Sequence, residues 1–304
     1  MHNTTHNAAT IAVMGASGHS GRRVVEQLLR AGQRVRALGR SAEKLAPLAA
    51  LGAEVHIGDA ADAAFLTAAF RSADAAYTML PYEISQPGYL ANQAAQGEAM
   101  VGAIRASGVP HIVFLSSIGA ELAEGTGPIL SMHAQETRLR ELTQTHVLML
   151  RVGALFENFY GALGTIKQFG MVADSVAPDV AIPMIATRDF ADVASAALQA
   201  RDWHGHVVRE LLGQRDLSYA EATRIIGPCI GQPDLPYQPL PYSELPQALV
   251  EGGFAPDLAK LYTDLARAIS ERKVRSQEGR NAHNTTPTAF EDFAEELARA
   301  YAVM

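Results

Sequence analysis

Gly15-Ala16-Ser17-Gly18-His19-Ser20-Gly21 is the stretch on which the fold turns. It follows a short apolar run, Ile11 to Gly15, and opens a segment where Val24, Val25, Leu28 and Leu29 recur at three- and four-residue spacing before Gly32. That pattern predicts a strand, a tight turn and a helix that ends at a left-handed glycine. Glycines lack the Cβ that would keep the backbone from turning sharply and approaching a pyrophosphate. The helix then offers free amides and the positive end of its dipole to the phosphates. A three-glycine turn alone also joins strands to helices for steric reasons. At the first strand of a repeating unit it points to dinucleotide binding.

The repeat is present on the downstream side. Candidate strands run from Arg34 to Gly39, Glu54 to Gly58, Ala73 to Met79, His111 to Ser116 and His146 to Val152. Helices are expected over Ala61 to Phe70, Asn92 to Ala106 and His133 to Leu142, the second stopped by Gly108-Val109-Pro110. Short apolar runs alternating with amphipathic ones predict an α/β fold, a Rossmann-type doubly wound parallel sheet with a smaller C-terminal α/β lobe. After about Val152 the alternation weakens, and Pro and Gly become denser from Gly227 to Pro246. Leu258, Leu261, Leu265 and Ile269 fit one helix face, and Phe290, Phe293, Leu297 and Tyr301 another. The expected division is a dinucleotide domain over 8–155 plus about 181–212, and a substrate lobe over about 156–180 and 213–304.

The chain has 304 residues, 48% hydrophobic and 19% charged, with a net charge of -7. This composition folds, and without a run of Lys or Arg it argues against direct nucleic-acid binding. The one cysteine, Cys229, cannot form an intrachain disulfide and is read as a small buried residue. Met1 to Asn7 is polar, with neither the basic start nor the apolar core of a signal peptide or membrane span, so the expectation is a cytoplasmic protein without membrane attachment.

At the end of the second candidate strand an acidic residue would hold an adenosine ribose diol, whereas an Arg would take a 2′-phosphate. Arg40 stands there, with Arg36 and Ser41 near enough to help, and the cofactor expected is NADP(H); the alternative for Arg40 is a solvated surface side chain. Asp59, after the third strand, either lies beside the adenine or caps the following helix. Leu80 and Pro81, after the fourth, are placed to border the pyrophosphate and the nicotinamide ribose, while Tyr82 beside them lines the site or is packed. Ser116 either hydrogen-bonds substrate or nicotinamide, or satisfies local backbone. His133 either donates a proton to a reduced oxygen or is structural. No metal is expected.

Together these residues resemble the NmrA-like branch of the atypical short-chain dehydrogenases/reductases, which includes quinone oxidoreductase 2-like and HSCARG-like proteins. The likeness is carried by GASGHSG at 15–21, RALGRSAEKL at 36–45, GDAAD at 58–62, FLSSIGA at 114–120, RVGALFENF at 151–159, ELLGQRDLSYAEAT at 210–223 and TTPTAFEDFA at 285–294. The resemblance implies an NADP-binding domain, a C-terminal lobe closing over the nicotinamide, and a site in the cleft between them. It further implies that Phe156 and Asn158 lie at the nicotinamide end, with Phe159 and Tyr160 there or in the lobe core.

One departure is chemical. Short-chain dehydrogenases usually place a Tyr and a Lys four residues apart, and this chain has no such pair. Gln135 stands where many members of the branch carry Lys, so a ribose contact is expected to be lost and no phenol to be available for an alkoxide. Alcohol dehydrogenation is therefore not expected. The function read from these features is NADPH-dependent reduction of quinones or similar conjugated carbonyls. His133 would be the proton donor, Asn158 and Ser116 would orient the acceptor, and Tyr82, Phe156, Tyr237 and Tyr242 would form apolar walls. The alternative is a non-catalytic NADP(H)-binding redox sensor that acts through a protein partner. A reductase like the isoflavone reductase group ranks last. The partner expected is a small molecule, and a homodimer is compatible with the sequence.

Overall fold

Segments such as Ala75–Thr78 and His146–Val152 are apolar at nearly every position, the composition of strands covered on both faces. In the computed structural model, which describes residues 8–304, they lie inside a parallel sheet. The reading of Met1 to Asn7 lies outside the described residues.

In chain order the first elements are β1 (Thr10–Val13), α1 (His19–Arg30), β2 (Arg34–Gly39), α2 (Ala42–Ala50), β3 (Glu54–Ile57), α3 (Ala63–Phe70), β4 (Ala75–Thr78), α4 (Tyr89–Ser107), β5 (His111–Ser117), α5 (Leu130–Leu139) and β6 (His146–Val152). They are followed by β7 (Ala154–Leu155), α6 (Leu163–Phe169), β8 (Val172–Asp174), β9 (Ile182–Ile185), α7 (Thr187–Ala200) and β10 (His206–Leu211). The chain ends with β11 (Asp216–Leu217), α8 (Tyr219–Cys229), β12 (Tyr237–Pro239), α9 (Leu245–Glu251), α10 (Pro256–Ser270) and α11 (Phe290–Val303).

Seven parallel strands pair in the order β10-β6-β5-β4-β1-β2-β3. The chain winds one way from β1 to β3 and the other from β4 to β10, so the reversal falls between β1 and β4. The crevice beyond the carboxyl ends at such a reversal is where doubly wound sheets hold ligands. One face of the sheet packs Val24, Val25 and Leu28 of α1, Leu45 and Leu48 of α2, and Phe190 and Leu198 of α7. The other packs Leu66 and Phe70 of α3, Met100 and Ile104 of α4, and Leu139 of α5. Burying each large apolar side chain contributes about 1.5–3 kcal/mol before chain entropy is counted.

A third apolar cluster gathers Phe156, Phe159, Ile166, Val172, Ile226, Ile269, Phe290, Phe293 and Leu297. It is accompanied by a three-stranded sheet, β11-β9-β7, and the pair β12-β8. Cys229 corrects an expectation: it ends α8 with its thiol exposed rather than buried. Among the described residues no helix is long and apolar enough to cross a membrane.

Candidate functional site

The turn after β1 has little conformational freedom. Gly15 takes φ 62°, a left-handed value, and its carbonyl accepts from the Gly18 amide at 2.9 Å. A Cβ on Gly21 would overlap the Gly15 carbonyl oxygen and lie 2.7 Å from its carbon and 3.0 Å from Ala16 Cα. The third glycine therefore lets α1 pack directly on the turn. Ala16 is buried and donates its amide to Leu38 O at 3.1 Å, which ties the turn to the end of β2. Ser17, Gly18 and His19 are exposed. The first amide of the helix ladder is that of Arg22, bonded to Gly18 O, so the amides of His19, Ser20 and Gly21 precede it as open donors. With no acidic side chain in its first turn, α1 presents a cradle suited to a diphosphate. Tyr77 donates to Ser20 Oγ at 3.1 Å from below and anchors that residue.

Next to this cradle, at the end of β2, Arg40 is exposed and paired with Glu83 at 2.6 Å. Its expected helpers have other work. Arg36 donates to the carbonyls of Ala69 and Arg71 at 2.8 and 2.7 Å, and Ser41 caps α2 by accepting from the Lys44 amide. Asp59 is exposed and accepts only from its local Ala61 amide, whereas Asp62 caps α3, accepting from Ala64 and Phe65. Of the two roles open to Asp59, the helix cap belongs to Asp62.

After β4 the Leu80 side chain is buried in the core, so only its backbone reaches the edge, and Pro81 O is held by Gln93 at 2.9 Å. Tyr82 is half exposed, its hydroxyl 3.2 Å from that of Tyr262 on α10, and its ring stands edge-on to Tyr89 at 5.7 Å. Tyr89 in turn meets Ser131 Oγ at 3.2 Å, two residues before His133. Burial pushes the Tyr89 phenol up to about 12 and Tyr262 well above the usual phenol value. Tyr82 thus stands half exposed on the loop leaving the carboxyl end of β4, with its hydroxyl turned to Tyr262.

Two expected site residues are buried in the protein instead. Ser116 is 2% exposed and donates to Glu136 at 2.7 Å. Glu136 also accepts from Arg151 at 2.9 and 2.7 Å, and Arg151 reaches Glu121 at 2.9 Å. Burial alone would raise the Glu136 pKa, but the hydrogen bonds from Arg151 and Ser116 outweigh it and hold the carboxyl below its usual range. A substrate would have to compete with a buried carboxylate for the Ser116 proton. Phe156, 1% exposed, packs its ring against Phe290 at 5.0 Å and Phe293 at 5.6 Å in the aromatic core. Phe159 joins it, and Tyr237, partly buried, donates its hydroxyl to Val176 O at 2.6 Å.

Gln135 is likewise fully buried, between α5 and α4, with its amide toward Gly97 O. His133 is half-buried, with Nδ1 2.9 Å from Ala120 O. A carbonyl only accepts, so Nδ1 carries the proton, and Nε2 donates only when the ring is an imidazolium. Asn158 is exposed on the 3-10 turn Phe156–Ala162. Among the described residues no group of His, Cys, Asp or Glu is placed to hold a metal ion.

The model of the NmrA-like family matches residues 7–294. This chain belongs to the NmrA-like family. Among solved structures, this NmrA-like fold is similar to the NADPH-dependent quinone oxidoreductase of Escherichia coli complexed with NADPH, with TM-score 0.80, 23% identity, and 94% of this chain and 99% of that one covered. It is similar also to the Citrobacter sp. triphenylmethane reductase, with TM-score 0.78, 20% identity and coverage of 95% and 99%. An NmrA mutant structure matches with TM-score 0.67, 18% identity and coverage of 95% and 91%. No curated protein matches the chain in sequence.

Proposed function

We propose that this NmrA-like protein is an NADPH-dependent reductase of quinones or similar conjugated carbonyl acceptors, acting in a cleft between the nucleotide-binding part and the C-terminal lobe. One observation carries the reading: the glycine cradle with its open amides and Arg40 share one edge of the sheet, and the cradle tolerates no Cβ at Gly21. That combination fits an anionic dinucleotide with a 2′-phosphate. The fold it shares with an NADPH-dependent quinone oxidoreductase and a triphenylmethane reductase supports the same reading.

NADPH supplies the hydride when bound. The amides of His19, Ser20 and Gly21 would hold the diphosphate, Arg40 the 2′-phosphate and Asp59 the adenine side, and the backbone of Leu80 and Pro81 would border the ribose. Asn158 orients the acceptor from the opposite wall. His133, oriented through Nδ1 by Ala120 O, delivers a proton from Nε2 to the reduced oxygen. A quinone needs positioning more than a strong acid, because water can complete its protonation.

The test is NADPH oxidation against a panel of quinones and enals, with parallel NADPH and NADH titrations. Turnover with a quinone supports the reading, and His133→Ala should then lose turnover while NADPH still binds. Unchanged turnover in that variant ends the role of His133. A second reading, a redox sensor that binds NADP(H) without reacting, is favoured by Ser116 and Gln135 being turned into the protein. Firm NADPH binding with no oxidation by any acceptor decides for the sensor.

A further inference from the structure

The Arg40–Glu83 ion pair joins two strand ends that are not neighbours. Arg40 follows β2, Glu83 follows β4, and β1 with its glycine turn lies between them. Strands two places apart are separated by about 10 Å, so the pair reaches across the carboxyl end of β1, beside the glycine turn. Glu83 is not loose. Its carbonyl accepts from the Gln86 amide at 3.2 Å, Ile84 O accepts from Ala255 at 2.7 Å, and the amides of Gly88 and Tyr89 are held by Asp257 at 3.0 and 2.8 Å. The strap 81–88 is thus fastened to the start of α10 and aims a carboxylate at Arg40.

We propose that Glu83 is a built-in competitor for the 2′-phosphate, and so a residue that sets selectivity between NADP and NAD. The proposal rests on the assignment of Arg40 as the phosphate receptor. A carboxylate and a phosphate offer a guanidinium the same acceptor chemistry, and one fork cannot face both in the same geometry. NADPH binding is therefore an exchange in which the phosphate takes the guanidinium and Glu83 turns to water. NADH brings no anion to this position and leaves the pair intact. The two side chains are 58% and 49% exposed, so the exchange lies in the range of a weak surface pair.

The experiment is a binding titration of NADPH and of NADH to wild type, Glu83→Gln, Arg40→Gln and the double variant, each first shown by thermal unfolding to be folded. Glu83→Gln should tighten NADPH about three- to fivefold and leave NADH within about twofold. Arg40→Gln should weaken NADPH about tenfold or more, and adding Glu83→Gln to it should change nothing further. Unchanged or weaker NADPH binding in Glu83→Gln overturns the proposal. So does equal tightening of both cofactors, which would mark a gate and not a competitor. If Arg40→Gln leaves NADPH binding as it was, the assignment of Arg40 itself fails, an outcome separate from the failure of Glu83.

Discussion

An added Cβ at Gly21 meets backbone, the Gly15 carbonyl and Ala16 Cα, which cannot rotate aside as a side chain would. Gly21→Ala should therefore lose about 1–3 kcal/mol in urea unfolding and weaken NADPH binding together, because α1 must back away from the turn. Gly102, inside α4 with nothing within 4 Å of its Cβ position, is the control: Gly102→Ala should gain about 0.5–1 kcal/mol. Glu136 makes a second residue-scale case. Its folded carboxyl lies below the ordinary glutamate value of 4.5, so its contribution is present above that value and lost as pH falls through the depressed one. Glu136→Gln, which leaves Arg151 buried against a neutral amide, should cost about 3–5 kcal/mol in unfolding at neutral pH and flatten the acid limb of stability against pH. The tight glycine turn and the place of Arg40 after β2 were legible in the sequence because both are set by position after a strand. Ser116 and Phe156 were not, because whether a hydroxyl or a ring faces a cleft depends on partners such as Glu136 and Phe290, distant in the chain.

At the amino edge of the sheet, opposite the cradle, the first residues of β5 and β6 bring His111 and His146 together at 5.0 Å, and His204 lies 5.2 Å from His146. Burial, followed by the charges of His146, Arg201 and His204, lowers the His111 pKa from 6.5. Between the lowered value and 6.5 the unfolded chain binds more protons, so stability is full above 6.5 and declines as pH falls below it. The melting temperature should be lower at about pH 5.5 than at about pH 7.5, and His111→Phe should reduce that difference. An undiminished difference in the variant would assign the acid loss to other groups. Element boundaries followed the apolar runs closely for β2 and β6, which match their expected spans. The sequence reading did not single out α7 and β10. The inward face of α7 depends partly on Ala191 and Ala194, weak in hydrophobic contrast, and β10 is an edge strand with polar Arg209 and Glu210 inside it.

Across the whole molecule, the C-terminal elements rest on an aromatic cluster and hold the strap through Ala255, Asp257 and Tyr262. Phe290 is fully buried among Phe156, Phe159 and Phe293. Phe290→Ala should cost about 3–5 kcal/mol. Because the turn carrying Asn158 packs on that ring, the proposed quinone reduction should show a raised KM while the NADPH dissociation constant moves less than about twofold. Equal losses in both would mean that the cluster supports the whole molecule and not one wall of the site. The doubly wound architecture was legible as a whole. The pairing of β9 with β7 and β11 was not, since it joins short segments whose register depends on the finished sheet.

The place of β10 in the chain has a consequence during synthesis. The strand that covers β6 emerges from the ribosome about 60 residues after it, about 3–12 s at the usual elongation rate. Throughout that interval the nascent sheet ends in His146–Val152, an apolar edge with unpaired backbone groups. Chaperone occupancy on translating ribosomes should therefore rise as this strand leaves the exit tunnel and fall once Leu211 has cleared it.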